Sequence, residues 1–342
     1  MDDHLEAGLL LFGGRSPDGP PGSAIAEAIE LTLAAERAGW SEAWVAEHHF
    51  NPQLELSSAM TSAAYLLGAT TTMRVGTAAS VLTVWHPVAL AEQARLLHHA
   101  SGGRFALGVA RGMPTIDFEI IGDGEGRGEP AVFAEALDVL AAALGDDEVR
   151  ADGPTFEFGP VRVMPGRAAE PVPVFVAANN EPTVRIAAAR RLPLLLPPFA
   201  PLAAKRSILD TYLDEARHLG IVPTGIEHYD GAIVHVADGR DAAVTALQDT
   251  WAPWFARVTQ DTPLLRPLPF EIGAAELAAM VEHQVAGTAE QVAEQISERS
   301  ATLGVRRALL IVDGTGDVDE AHRNVHAVAE ALDLAPGAVS RS

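Results

Sequence analysis

The sequence predicts a (β/α)8 barrel. Eight short apolar runs alternate with longer, Ala-rich stretches whose apolar residues recur at helical spacing. The alternation resumes after each of two irregular segments, so neither reads as a domain linker. No G-x-G-x-x-G follows the first run, which weakens the competing open, doubly wound sheet in its dinucleotide-binding form. With 342 residues, 48% of them hydrophobic, the chain is long enough to close such a barrel as a single domain over residues 1–342.

The elements follow in order. AGLLLFG (7–13) is the first strand, and SAIAEAIELTLAAERAG (23–39) the first helix, with Ser23 as its N-cap and Gly39 as its stop. EAWVAE (42–47), MRVGTAASVL (73–82) and RFALGVA (104–110) supply strands two to four. TFEFGPVRVMPGRAAEP (155–171) reads as a hairpin or loop inserted before strand five, VPVFVAA (172–178). LPLLLPP (192–198) and YDGAIVHVA (229–237) are strands six and seven. The proline-rich VTQDTPLLRPLPFEIGAAE (258–276) is a second insertion, before strand eight. The helix AEQVAEQISERSATLG (289–304) and strand RRALLIVD (306–313) complete the set.

Composition narrows the function. There are 46 acidic against 24 basic residues, a net charge of -22, which argues against nonspecific nucleic-acid or anionic-membrane binding. Without cysteine there is no disulfide, thiolate nucleophile or Cys-ligated metal. The acidic start MDDHLEAGLLLFGG is not a signal peptide, and no apolar run approaches the roughly 20 residues that span a bilayer. The expected location is the cytoplasm.

In a (β/α)8 barrel the chemistry sits where strands end and βα loops begin. The positions of interest are 12–15, 47–50, 78–80, 110–113, 179–183 and 197–199. Strand two ends in Glu47, His48, His49 and Phe50. By strand alternation His48 and Phe50 share one face, and Glu47 and His49 the other. Adjacent histidines on opposite faces do not grip one metal ion, and no metal site is expected. A histidine in the mouth is a good acid–base group, because its pKa lies near neutrality; alternation alone leaves open which one faces inward. His98 and His99 follow a helical run about 100° apart, so packing or surface roles suffice for them. Phe12, Trp85, Phe199, Trp251 and Trp254 are candidates for an apolar pocket.

Four ordered motifs resemble the bacterial luciferase-like flavin monooxygenases. VAEHHF (45–50) resembles their second-strand signature and SGGRFALGVARG (101–112) their fourth. LLGATTTMRVGTAASVLTVWHPVALAEQ (66–93) and VFVAANNEPTVRIAAARRLP (174–193) resemble the alkanal-oxidising luciferase α subunit in particular. The resemblance implies a (β/α)8 barrel, a homodimer, and reduced FMN delivered by a separate NAD(P)H:flavin reductase. Oxygen then forms a C4a-hydroperoxyflavin that oxygenates a small organic substrate: an aldehyde, a ketone or an aromatic natural product. It implies His48 as the active-site histidine and Arg111 as the arginine on the flavin phosphate. Met113, Asn179, Asn180 and Thr183 complete the cofactor contacts, before a helix beginning near Pro182 whose free N–H groups attract anions. Ala78 and Ala79 match a pair joined by a non-prolyl cis bond beneath the flavin ring. F420-dependent hydride transfer, or noncatalytic flavin binding, are the alternatives on the same fold.

The sequence departs from the α subunit at several points. Its reactive cysteine is Ala110 here, and a glutamate near the end of strand five is Asn179. The second phosphate arginine is missing from EGRGEPAVFAEAL (125–137), where Glu129 or Pro130 stands, with Arg127 as a possible substitute. The loop at 263–269, which in luciferases shields the flavin from water, is shorter and proline-rich. These departures point away from light emission and toward a different substrate.

Overall fold

Each short apolar run between turn residues becomes a strand. The computed structural model describes residues 5–16, 19–265, 272–314 and 316–334. Its barrel strands are β1 (Glu6–Leu11), β2 (Glu42–Val45), β3 (Arg74–Thr77), β4 (Phe105–Ala110), β5 (Val174–Ala177), β6 (Leu194–Leu196), β7 (Tyr229–Val236) and β8 (Arg307–Ile311). Each pairs in parallel with the next, and β8 returns to β1, so the sheet closes. The expected (β/α)8 barrel is the observed fold. After residues 78–79 the two-residue strand Ser80–Val81 continues beside β4, and Val285–Gly287 pairs with the end of β7.

The period-two pattern sorts side chains into two cores. Leu9, Leu11, Ala43 and Val45 pack outward under the helices. Leu10, Trp44, Phe175 and Tyr229 fill the barrel. Trp44 needs space that only glycine leaves: a Cβ on Gly76 would lie 2.4 Å from its ring. At the N-terminal end Glu42 accepts from Trp44 Nε1 (2.8 Å), Tyr229 Oη (2.8 Å), Arg74 (3.0 Å) and Arg307 (3.1 Å). This buried, fully hydrogen-bonded network closes one end, so a cavity along the axis opens at the other.

The first insertion is a hairpin in which Glu148–Asp152 pairs antiparallel with Glu157–Arg162. The second is partly helical: Trp251–Asp261 and Ala274–Glu282 are helices, and residues 266–271 of the proline-rich loop lie outside the described residues. Ser23 is not the N-cap of the first helix, Ser23–Arg37. Gly22 takes that place, and the Glu55 carboxylate accepts the N–H groups of Gly22 and Ala24, both at 2.9 Å. Gly39 does stop that helix, at φ 95°. The helix Ala289–Leu303 is capped by Thr288 and Gln291 and ends at Gly304.

Candidate functional site at the barrel mouth

β2 ends at Val45, and the side chains that follow diverge. Glu47 turns into the wall. Its Oε2 accepts from the Ala59 N–H, and its Oε1 from the Val81 N–H and Trp85 Nε1, all at 3.0 Å. His49 Nε2 lies 3.5 Å from the same Oε1. Burial pushes the Glu47 carboxyl up, but these partners outweigh it and hold it below the usual carboxylate range.

His48 turns the other way and lines the cavity, its ring centroid 4.5 Å from that of Phe12. Its Nδ1 is shut off from solvent and has no hydrogen-bond partner among the described residues. Burial lowers its pKa to about 4, so the ring is neutral at physiological pH. The mouth therefore holds His48, not His49. Phe50 does not share its face, contrary to strand alternation. The chain leaves strand geometry after Val45, Phe50 takes φ 56°, and its exposed ring sits 5.9 Å from that of His49.

The peptide between Ala78 and Ala79 is cis. Ala78 lines the cavity; Ala79 is buried and does not. At the end of β4, Thr83 Oγ1 donates to the Arg111 carbonyl at 2.6 Å. Gly112 turns the chain at φ 83°, where a Cβ would meet Val81 at 2.7 Å. Met113 follows at the exposed rim of the cavity. Arg111 Nη1 donates to the Gly128 carbonyl (2.7 Å) and Nε to Thr183 Oγ1 (3.2 Å), which fixes the guanidinium at the cavity wall. Thr183 Oγ1 in turn donates to Asn180 Oδ1 (3.0 Å), which also accepts the Thr183 N–H (3.2 Å). Asn180 thereby N-caps the helix Glu181–Ala189, and its Nδ2 reaches Asn179 Oδ1 at 3.0 Å.

The fold thus gathers His48, Ala78, Arg111, Asn179, Asn180 and Thr183, with Met113 at the rim, around one cavity of about 300 Å³. Leu195 and Leu309 supply apolar wall. Arg127 is outside it: its guanidinium holds Asp123 at 2.5 Å and lies 5.4 Å over the Phe156 ring.

A second cavity, also about 300 Å³, adjoins the first at Phe12, which lines both. Phe199, Trp251 and Trp254 line it as expected, but Trp85 does not, because its Nε1 is held by Glu47. Three charged lining residues, Asp249, Arg257 and Asp313, carry no reading in the sequence. Asp313 follows the end of β8, where the strand-end rule could have found it. Arg257 sits on the insertion helix and carried no sequence signal. Burial lifts the Asp313 carboxyl to about 6. Glu27 is lifted to about 7, first by burial and then by Asp313. Among the described residues no cluster is fit to hold a metal ion, and no helix is long and apolar enough to cross a membrane.

The buried histidines predict a pH dependence. His48 and His228 are both lowered from 6.5 to about 4 by burial. The unfolded chain protonates first, so their stabilisation is full above about 6.5 and drains as pH falls toward 4. Glu27 and Asp313, raised, act in the opposite sense. A variant-minus-wild-type comparison isolates one group. His48→Gln is expected to gain about 2 kcal/mol relative to wild type between pH 7.5 and 5 in urea unfolding. A difference that stays flat with pH overturns the assignment.

The luciferase-like monooxygenase family model matches residues 5–307. An alkanal monooxygenase alpha chain from a Kryptophanaron alfredi symbiont is 31% identical over 252 residues, 73% of this chain and 70% of its own. Monooxygenase RslO1 from Streptomyces bottropensis superposes with a TM-score of 0.81 at 21% identity, covering 96% of this chain and 98% of that one. The oxygenating constituent of 3,6-diketocamphane monooxygenase from Pseudomonas putida, in complex with FMN, gives 0.73 at 17% identity, covering 98% and 99%. An F420-dependent secondary alcohol dehydrogenase with an F420-acetone adduct gives 0.75 at 19%, covering 96% and 99%. At those identities the structural likenesses speak for the fold alone.

Proposed function

Since the chain belongs to the luciferase-like monooxygenase family, we propose that it is an FMN-dependent, two-component monooxygenase. It would take reduced FMN from a separate reductase in the cytoplasm and oxygenate a small organic substrate with O2. The observation that carries this reading is the chain of hydrogen bonds from Arg111 through Thr183 to Asn180 at the wall of a cavity that also holds His48.

The residues fit the cofactor. A guanidinium fixed in orientation beside a helix N-terminus suits a phosphate dianion. His48 lines the same cavity with a ring that burial keeps neutral at physiological pH. When bound, reduced flavin would supply the electrons that activate O2. The chain's own part is to bind, orient and exclude water. Arg111, Thr183, Asn179 and Asn180 would hold the phosphate end, with Met113 at the rim. Ala78, Leu195 and Leu309 would present apolar surface to the rings. His48, neutral at physiological pH, would accept a proton on one ring nitrogen. A homodimer fits the exposed Tyr65 and Leu96, on the contacting helices Ala59–Ala69 and Pro87–Ala100.

The test is to mix the protein with anaerobically reduced FMN and then admit air. Oxidised FMN is expected to form more slowly than from free reduced FMN. The protein alone is expected not to oxidise NADH with FMN, and to consume it only when a flavin reductase is added. Rapid unaided NADH turnover overturns the two-component scheme. Binding of F420 with no affinity for FMN selects hydride transfer instead.

A further inference from the structure

The second cavity carries charges that an alkanal pocket has no use for. Phe12, Phe199, Trp251 and Trp254 line it with ring surface. Phe12 and Phe199 meet edge to face at 5.5 Å, and Phe12 and Trp254 at 6.1 Å, an arrangement that receives a further ring well. Among the described lining residues Ile311 is the only open-chain aliphatic.

Arg257 projects from the same helix as Trp251 and Trp254. It is half-buried, and among the described residues it has neither a hydrogen bond nor an ion pair. The other lining arginine, Arg15, is already engaged by Glu55 at 4.0 Å and the Pro52 carbonyl at 3.4 Å. Of the two lining acids, Asp249 is exposed to water and burial lifts the Asp313 carboxyl to about 6, and among the described residues neither pairs with Arg257. In a chain of net charge -22 the overall field repels anions, so an anionic ligand needs a local unpaired cation. Covering Arg257 with a neutral alkyl chain would strip its water and return nothing.

Building on the monooxygenase reading, we infer that this cavity receives a planar aromatic substrate bearing an anionic group such as a carboxylate, and that Arg257 is the specificity-determining counter-charge. The aromatic walls bind the ring, and the guanidinium fork binds the anion. Phe12 is the shared wall between this substrate and the cavity that holds His48.

Three probes separate the contributions by isothermal titration calorimetry on the flavin-free protein. These are 2-naphthoate, the neutral 2-naphthalenemethanol with the same rings, and decanoate with the charge but no ring. 2-Naphthoate is expected to bind about ten-fold or more tightly than either of the others. Arg257→Ala should bring 2-naphthoate down to the level of 2-naphthalenemethanol and leave the neutral probe unchanged, and Arg257→Lys should keep part of the preference. Arg111→Ala should not affect 2-naphthoate; a large loss there would place the probe in the phosphate site and overturn the inference. Equal binding of 2-naphthoate and 2-naphthalenemethanol, equal binding of decanoate, or no binding of 2-naphthoate overturns it too. FMN titrations on the same samples keep the two readings apart. Failure of wild type to bind FMN counts against the proposed function, whereas the 2-naphthoate result stands on Arg257 alone.

Discussion

His48→Ala is expected to lower product formation by roughly two to four orders of magnitude, the scale of a lost acid–base group. The measurement is product per turnover, with photoreduced FMN and whichever organic substrate the wild-type protein consumes. Folding and FMN affinity should stay near normal. Among the described residues the His48 side chain has no hydrogen-bond partner for truncation to orphan, and its backbone N–H still reaches the Leu56 carbonyl at 3.0 Å. What is lost is packing against one face of Phe12 and a neutral imidazole at the cavity. Under the proposed function, hydrogen peroxide release should rise as product falls, because electrons from reduced FMN would then go to O2 without oxygenating substrate. His49→Ala is the control. His49 contacts the Glu47 carboxylate from within the wall, so its loss should cost far less activity. If His49→Ala is the damaging change and His48→Ala is mild, the assignment of the mouth histidine is wrong.

The barrel was legible because its signals are local and periodic. Leu9 and Leu11 face the helices while Leu10 faces the axis, an alternation a reader can count. Arg111 and Thr183, both at strand ends and 72 positions apart, are brought into hydrogen-bond contact by the closed sheet, while Asn180 joins them through a local helix cap. Two of the failures share a cause: a distant partner competes with a local preference. Ser23 had the right chemistry for an N-cap, but the Glu55 carboxylate arrives from 31 to 33 residues away and satisfies the helix start instead. Trp85 had the right bulk for a pocket wall, but Glu47 takes its indole N–H. Phe50 followed strand alternation only while the strand lasted, and it ends at Val45. Arg257 lies on an insertion helix, and only the packing of that helix places it at the second cavity.

Arg111→Ala should weaken reduced FMN binding by roughly 10- to 150-fold, the equivalent of one charge-assisted contact worth about 1.5–3 kcal/mol. Arg111 is positioned before any ligand arrives: Thr83 holds its carbonyl, Gly128 accepts from Nη1 and Thr183 accepts from Nε. That preorganisation spares an anion the entropy of ordering a flexible arginine. It also means that truncation disturbs more than one contact, since the Gly128 carbonyl loses its donor. Riboflavin resolves the ambiguity, because it carries the same rings and lacks the phosphate. Its affinity should barely change in Arg111→Ala, whereas general damage to the cavity would weaken both ligands alike. Thr183→Val provides a second arm. Thr183 is buried and links Arg111 to Asn180, so its loss should weaken FMN less than the arginine does, again sparing riboflavin. Losses of equal size for FMN and riboflavin in both variants would mean that this network supports the barrel mouth and the phosphate is held elsewhere.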